Sequence, residues 1–213
     1  MTYLEPVALF LSLWRYVHGA GAEIPFIGTK ANYLHTNTDS SHDIIARSEI
    51  YLSVVKPEQA HGEAFNTADN MRPVSWVERW PVMTGYFGLE GGPPVEPAES
   101  KIPRDKLLQM YANRTSPATF PAQEWWQEHQ DDYKRMCSEH GLRAREISPE
   151  SWLFMLYGGH SLLCRNRELS LEKIRSVGFV EERAVGEGHF VGFDRMVAAR
   201  ILPSRSVMQE GAK

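Results

Sequence analysis

Residues 5–18 place Val7, Phe10, Leu11, Trp14 and Val17 at helical spacing but on more than one side of the helix. A helix apolar most of the way round is covered on both sides. The run "HGAGAE" then breaks it, and "IPFIG" (24–28) predicts a short strand. A polar loop, "TKANYLHTNTDS", leads into a second helix over about 41–55, with Thr38, Asp39 or Ser40 as N-cap candidates. Lys56-Pro57 ends that helix. "GEAFNTA", from Gly62, predicts the next strand, breaking into a polar loop at "DN". Ser75 and Glu78 form a capping-box pattern for a helix reaching about Phe87, with Gly88 as its C-cap.

The stretch "GGPPVEPAESKIP" (91–103) is a Pro/Gly-rich connector. Beyond it, an amphipathic helix spans about Ala122 to His140 and ends at Gly141. Another begins at Ser148 with Pro149 at N1 and carries "SWLFMLYGGH". "LSLEKIRSVGF" predicts a short helix closed by Gly178, and a last helix runs from about His189 to Ile201. Residues 204–213 are expected to fray. The pattern predicts a mostly helical α/β fold with a few short strands, one domain over 1–203.

Composition narrows the class. The 213 residues are 42% hydrophobic and 23% charged, with a net charge of −4. A balance this acidic argues against a nucleic-acid partner. Cys137 and Cys164 lie far apart, in no metal-binding or redox spacing, as expected of free buried thiols in a reducing compartment. No metal is expected. "VALFLSLW" (7–14) is too short to span a bilayer, which needs roughly 20 residues. It also lacks a basic n-region and a cleavage site. A cytoplasmic protein is expected.

Candidate chemistry is sparse. Gly186-Glu-Gly188-His-Phe-Val-Gly192 follows a possible strand, "FVEERAV". A dinucleotide fingerprint needs a strand, glycine turn, helix and later acidic residue within a βαβ unit. Here the pattern reads instead as a helix start. None of the eight tyrosines has a lysine four residues on. His35, His42, His160 and His189 fall in loops or at helix ends, where a general acid or base can lie, as can a merely solvated histidine. Asp39 and Asp43 read as helix caps. The many aromatic side chains are either core or pocket wall. In "SWLFMLYGGH", Trp152 and Met155 share a helical face, with Tyr157 and His160 following.

"IPFIGT" followed by "SSHDIIARSEIYLSVV" and then "GEAFNTADNMRPVSWVERWPVMTGYFGLE" resembles the progesterone 5β-reductase and iridoid synthase-like group of extended short-chain dehydrogenases/reductases, in its fungal secondary-metabolism flavour. The match runs through Phe65, Asn66, Trp76, Trp80, Phe87 and Gly88. It continues in the closing pattern of Lys173, Arg175, Gly178, Phe179, Phe193, Asp194, Met196, Ile201 and Pro203. The resemblance covers the family's C-terminal, substrate-binding half, without the nucleotide-binding half or its catalytic Tyr and Lys. It implies pocket walls without a cofactor, and helices 5–18 and 41–55 left partly uncovered, hence a homodimer.

The function expected is a cofactor-independent cyclase or isomerase, of Diels–Alder type for example, acting on a hydrophobic terpenoid or polyketide intermediate. Tyr33, His35, Tyr157 and His160 are the expected polar groups. Trp14, Trp152, Met155 and Phe190 are the expected apolar walls. Two alternatives stand beside it: a fragment of an NADPH-dependent enone reductase, and a non-catalytic binding or scaffold protein.

Overall fold

The computed structural model describes residues 4–95, 122–148, 151–152 and 166–211. Helix α1 (Leu4–His18) is the centre of the core. Its residues 6–14 are buried without interruption, so both of its sides are covered. Phe10 packs edge-on against Trp125 and Trp152, and Trp14 packs against Trp125. These rings come from segments beyond residue 121, so α1 is covered within this chain. The expectation of an uncovered face on this helix is not met.

Strand β1 (Glu23–Pro25) pairs in parallel with β4 (Glu90–Gly92). Helix α2 (Lys30–Leu34) follows β1, capped by the Thr29 hydroxyl. Strand β2 (Thr36–Asn37) pairs antiparallel with β3 (Val74–Ser75), setting Asn37 opposite Val74. Between them come helix α3 (His42–Ile50), a π-turn over Tyr51–Val55 and the short helix α4 (Pro57–Ala60). Helix α5 (Trp76–Tyr86) lies across β4 and is tied to β1 by Trp80 Nε1, which donates to the Ile24 carbonyl at 3.2 Å. At Gly91 an added Cβ would come within 2.6 Å of Thr84 Oγ1, so this crossing needs a glycine. Gly88 ends α5 with a left-handed φ of 70°, as predicted.

The predicted helix over 122–140 is two helices, α6 (Ala122–Glu128) and α7 (Gln130–Glu139), meeting at His129. Helix α8 (Glu172–Ser176) closes at Gly178, whose φ is 99°. Helix α9 (Glu187–Ala198) starts from Gly186 in a left-handed conformation, so the glycine pattern does open a helix. Its glycines also permit close packing. A Cβ at Gly188 would meet Asp69 and Ser41, and one at Gly192 would meet the Leu4 side chain. Helix α10 (Arg205–Gln209) replaces the expected frayed tail. It buries Met208, and Arg15 Nε donates to the Met208 carbonyl at 2.8 Å.

Other local expectations are corrected. "GEAFNTA" is not a strand, and neither is "FVEERAV". Phe65 instead joins a second, smaller core with Ile44, Ala68, Leu171, Ile174 and Phe179. Ser75 precedes α5 but makes no side-chain cap bond, and Glu78 turns to Arg72 through two hydrogen bonds of 2.8 and 3.0 Å. The N-cap of α3 is Ser41, not Thr38, Asp39 or Ser40. Ile50 at the end of α3 and Val54 and Val55 of the π-turn are exposed. Cys137 is a free, buried thiol, pushed up by that burial, and Cys164 lies outside the described residues. Among the described residues no helix is long and apolar enough to cross a membrane, and no cluster suited to a metal occurs.

Phe10 contacts three parts of the core at once. Phe10→Ala should cost about 3–5 kcal/mol of unfolding free energy, read as a lower urea midpoint at unchanged slope.

Candidate functional site

Helix α5 buries Trp76, Trp80 and Met83, and within that apolar face it also buries Arg79, which is 1% exposed. A guanidinium removed from water needs full pairing. The β2–β3 pairing provides much of it. Arg79 Nη1 donates to Asn37 Oδ1 at 2.9 Å, and Nη2 donates to the carbonyls of Asn37 and Val74. Its Nε lies 2.7 Å from Asp39 Oδ2 without the N–H being aligned, so that contact is an ion pair rather than a hydrogen bond. The charged plane also sits 4.8 Å over the Trp76 ring.

A second carboxylate braces the same loop. Asp69 Oδ1 accepts from the Ser41 amide at 2.8 Å and from its hydroxyl at 2.7 Å. The Asp69 amide donates to the Asp39 carbonyl, and the Arg183 amide donates to the Asp69 carbonyl. Ser41 thus gives its hydroxyl to Asp69 rather than to the start of α3. Asp43, on the first turn of α3, accepts both bonds from Arg195 Nη2, at 2.8 and 3.0 Å.

The braced loop borders a cleft of about 190 Å³ between the start of α3 and the face of α9. Thr38, Asp39, Ser40, Ser41, His42, Asp43, His189 and Arg195 supply its polar lining, with Leu4 and Val191 on the apolar side. His189, only 7% exposed, has its pKa lowered chiefly by burial. Asp39 and Asp69 oppose that shift, and Arg79 adds to it. The imidazole is therefore neutral near pH 7, a polar group able to accept or relay a proton.

Of the expected site residues that are described, Trp14, Tyr33, His35, Trp152 and Phe190 are not among those lining this cleft. Trp14 and Trp152 are core residues that both pack on Phe10. Trp14 Nε1 donates to the Glu23 carbonyl at 3.1 Å. Tyr33 packs on Phe26, with its phenol raised by burial. His35 caps the end of α2, its Nδ1 against the Ala31 carbonyl. Phe190 packs on Tyr86. Met155, Tyr157 and His160 lie outside the described residues. Sequence reasoning had weighed Asp39, Asp43, His42 and His189, the two aspartates as caps. It missed Arg79, although an arginine between two tryptophans at i−3 and i+1 was the available signal.

The chain matches the PRISE-like Rossmann-fold domain over residues 2–203. It is 40% identical over 206 residues to the short chain dehydrogenase ausT of Aspergillus calidoustus, covering 97% of this chain and 45% of that protein. It is 28% identical over 198 residues to the short chain dehydrogenase sirR of Leptosphaeria maculans, covering 93% and 46%. A third relative, the short chain dehydrogenase sirQ of the same organism, is 23% identical over 199 residues, 93% of this chain and 44% of that one. The chain thus spans about half the length of the curated relatives it matches.

Removing one partner of a buried pair strands the other. Asp39→Ala should cost about 3–5 kcal/mol in chemical denaturation, more than an Asp43→Ala change on the exposed rim pair. For His189, the folded-state pKa lies below the unfolded value, so the unfolded chain binds more protons as pH falls. Its contribution is fully present above the unfolded pKa, roughly 6.5. Stability should therefore decline as pH is lowered through that value, and His189→Gln should flatten the decline in melting curves between pH 7 and 5.

Proposed function

This chain belongs to the PRISE-like Rossmann-fold domain family, and on that premise we propose that it is the substrate-side region of a short-chain-dehydrogenase-type enzyme of fungal secondary metabolism. Its substrate is a hydrophobic terpenoid or polyketide intermediate carrying an enone, reduced by hydride from NADPH. The observation that carries this reading is the 40% identity with a short chain dehydrogenase along 97% of the chain. The cleft beside α3 and α9 adds a polar recess with an apolar side, the mixture that orients a mostly hydrophobic ligand.

A second reading, a cofactor-independent cyclase or isomerase acting on the same class of intermediate, is favoured by one observation. The glycine pattern at 186–192 is used for packing. A Cβ at Gly186 would come within 2.6 Å of Val82 Cγ1, and one at Gly188 within 2.5 Å of Asp69 Oδ2. Those glycines are closed against protein side chains. Ring closure needs no hydride, and holding reacting ends together supplies roughly 7–11 kcal/mol in favourable cases. In this reading Tyr33, His35, Tyr157 and His160 polarise the substrate.

The purified chain should be heated with progesterone, as a bulky apolar enone, and separately with NADPH. A ligand at about 100 times its Kd adds about 2.7 kcal/mol, and each kcal/mol raises the Tm by about 2–4 °C at this size. Progesterone should give a rise of that order. If neither progesterone nor a set of apolar enones moves the Tm, the substrate-region reading is overturned. If an apolar polyene cyclises in the presence of the chain, without cofactor, only at its spontaneous rate and stereochemistry, the second reading falls.

A further inference from the structure

We propose that the cleft between the start of α3 and the face of α9 is a binding subsite for a neutral hydroxyl-bearing group with an adjacent carbonyl. It is the place where the oxygenated end of an otherwise apolar substrate is held. The inference deepens the substrate-region reading and rests on it for the identity of the larger molecule.

Size is the first argument. Pockets that enclose a whole drug-sized ligand run to roughly 300–1,000 Å³. A cleft of about 190 Å³ takes one end of such a molecule or a small ring.

Charge is the second. Asp39 is already matched by Arg79, and Asp43 by Arg195 with Arg183 at 3.9 Å. A cation would find no surplus negative charge here, and an anion would meet two carboxylates. A neutral ligand is the one that fits.

The balance of donors and acceptors is the third. The Ser41 hydroxyl proton is committed to Asp69, and the Ser40 hydroxyl proton to the Thr67 carbonyl. Both serine oxygens therefore face a ligand as acceptors. The Asp39 and Asp43 carboxylates are acceptors only while ionised. Thr38, His42 and His189 add one donor hydrogen each, but the two carboxylates and two serine oxygens outweigh them, so the cleft suits a ligand that brings O–H donors. Arg195 is the charged donor of the cleft, with its side chain 65% exposed. An exposed pair such as Arg195–Asp43 is worth about 0–1 kcal/mol. A ligand carbonyl can draw the guanidinium toward itself at little cost. Leu4 and Val191 then face the carbon skeleton.

The probe is 2-hydroxycyclohexanone, titrated into the uniformly ¹³C-labelled chain while the histidine Cε1–Hε1 signals are followed. His189→Gln serves to assign the His189 signal. The expected result is a saturable shift of the His189 and His42 signals. Cyclohexanone, which lacks the hydroxyl, cyclohexylammonium and inorganic phosphate should each bind at least tenfold more weakly. Arg195→Met should weaken 2-hydroxycyclohexanone several-fold. Val191→Trp, at a half-buried position on the rim, should abolish the shift; it keeps the test decisive if the His189 variant does not fold. Absence of a saturable shift, equal binding of any of the three controls, or an unaffected Val191→Trp variant overturns the subsite. Binding of 2-hydroxycyclohexanone with no stabilisation by enones keeps the subsite and overturns the substrate-region reading. The reverse outcome removes the subsite alone.

Discussion

The ion pair between Arg79 and Asp39 is the constraint on which the polar half of this structure depends. A guanidinium buried among tryptophans carries a desolvation cost of several kcal/mol, tolerable only if its neighbours are held in place. Holding them there requires the two-residue pairing of β2 with β3, which turns the Asn37 and Val74 carbonyls toward the guanidinium. Asp39 then fixes the loop before α3, and Asp69 fixes the same loop from the other side through Ser41. The cleft is the space left when that loop is pinned at a set distance from α9. Strands too short to make a sheet of any size still have a large effect, because their job is to aim carbonyls at one charge.

The apolar half obeys a different logic. Helix α1 was legible because its apolar residues cover more than one face, and a helix of that kind has no solvent side. The helix ends at Gly88 and Gly178 were legible for steric reasons: both adopt φ values that a side chain resists. The helix start at Gly186 was legible in the same way. What the sequence hid was partner choice. Ser75 with Glu78 has the spacing of a capping box, yet Arg72 offers Glu78 a bidentate charge-assisted pair, which outcompetes a backbone amide. The 62–70 segment looks like a strand because Ala64 and Phe65 are apolar ahead of turn formers. Phe65 and Ala68 are instead drawn into the small core around Ile174, with the Lys173 ammonium 4.9 Å over the Phe65 ring.

The candidate site shows the same division. Individual polar residues near it were visible as loop histidines and helix-start aspartates, but their grouping was not. His189 and Asp39 are 150 positions apart, and only the docking of α9 on the α3 loop makes them neighbours. The aromatic residues expected to wall a pocket were the opposite case. Trp14 and Trp152 carry the sequence signature shared by core and pocket, and the packing around Phe10 assigns them to core. Membership of the PRISE-like family, evident from motifs spread along the whole chain, was more legible than either, since it draws on many residues at once.

The two glycines of α9 that face the cleft leave unequal room for drift. At Gly192 the obstructing atom is the far end of the Leu4 side chain, which can rotate aside, so a larger residue there is accessible in a single step. At Gly188 the obstruction includes Ser41 Cβ, and the Ser41 hydroxyl and amide are both held by Asp69. A larger residue at 188 becomes tolerable only after the 41–69 bracket has been rebuilt, which makes that position strongly epistatic. Diversification of the cleft by single substitutions therefore has an open direction toward Leu4 and a closed one toward Ser41.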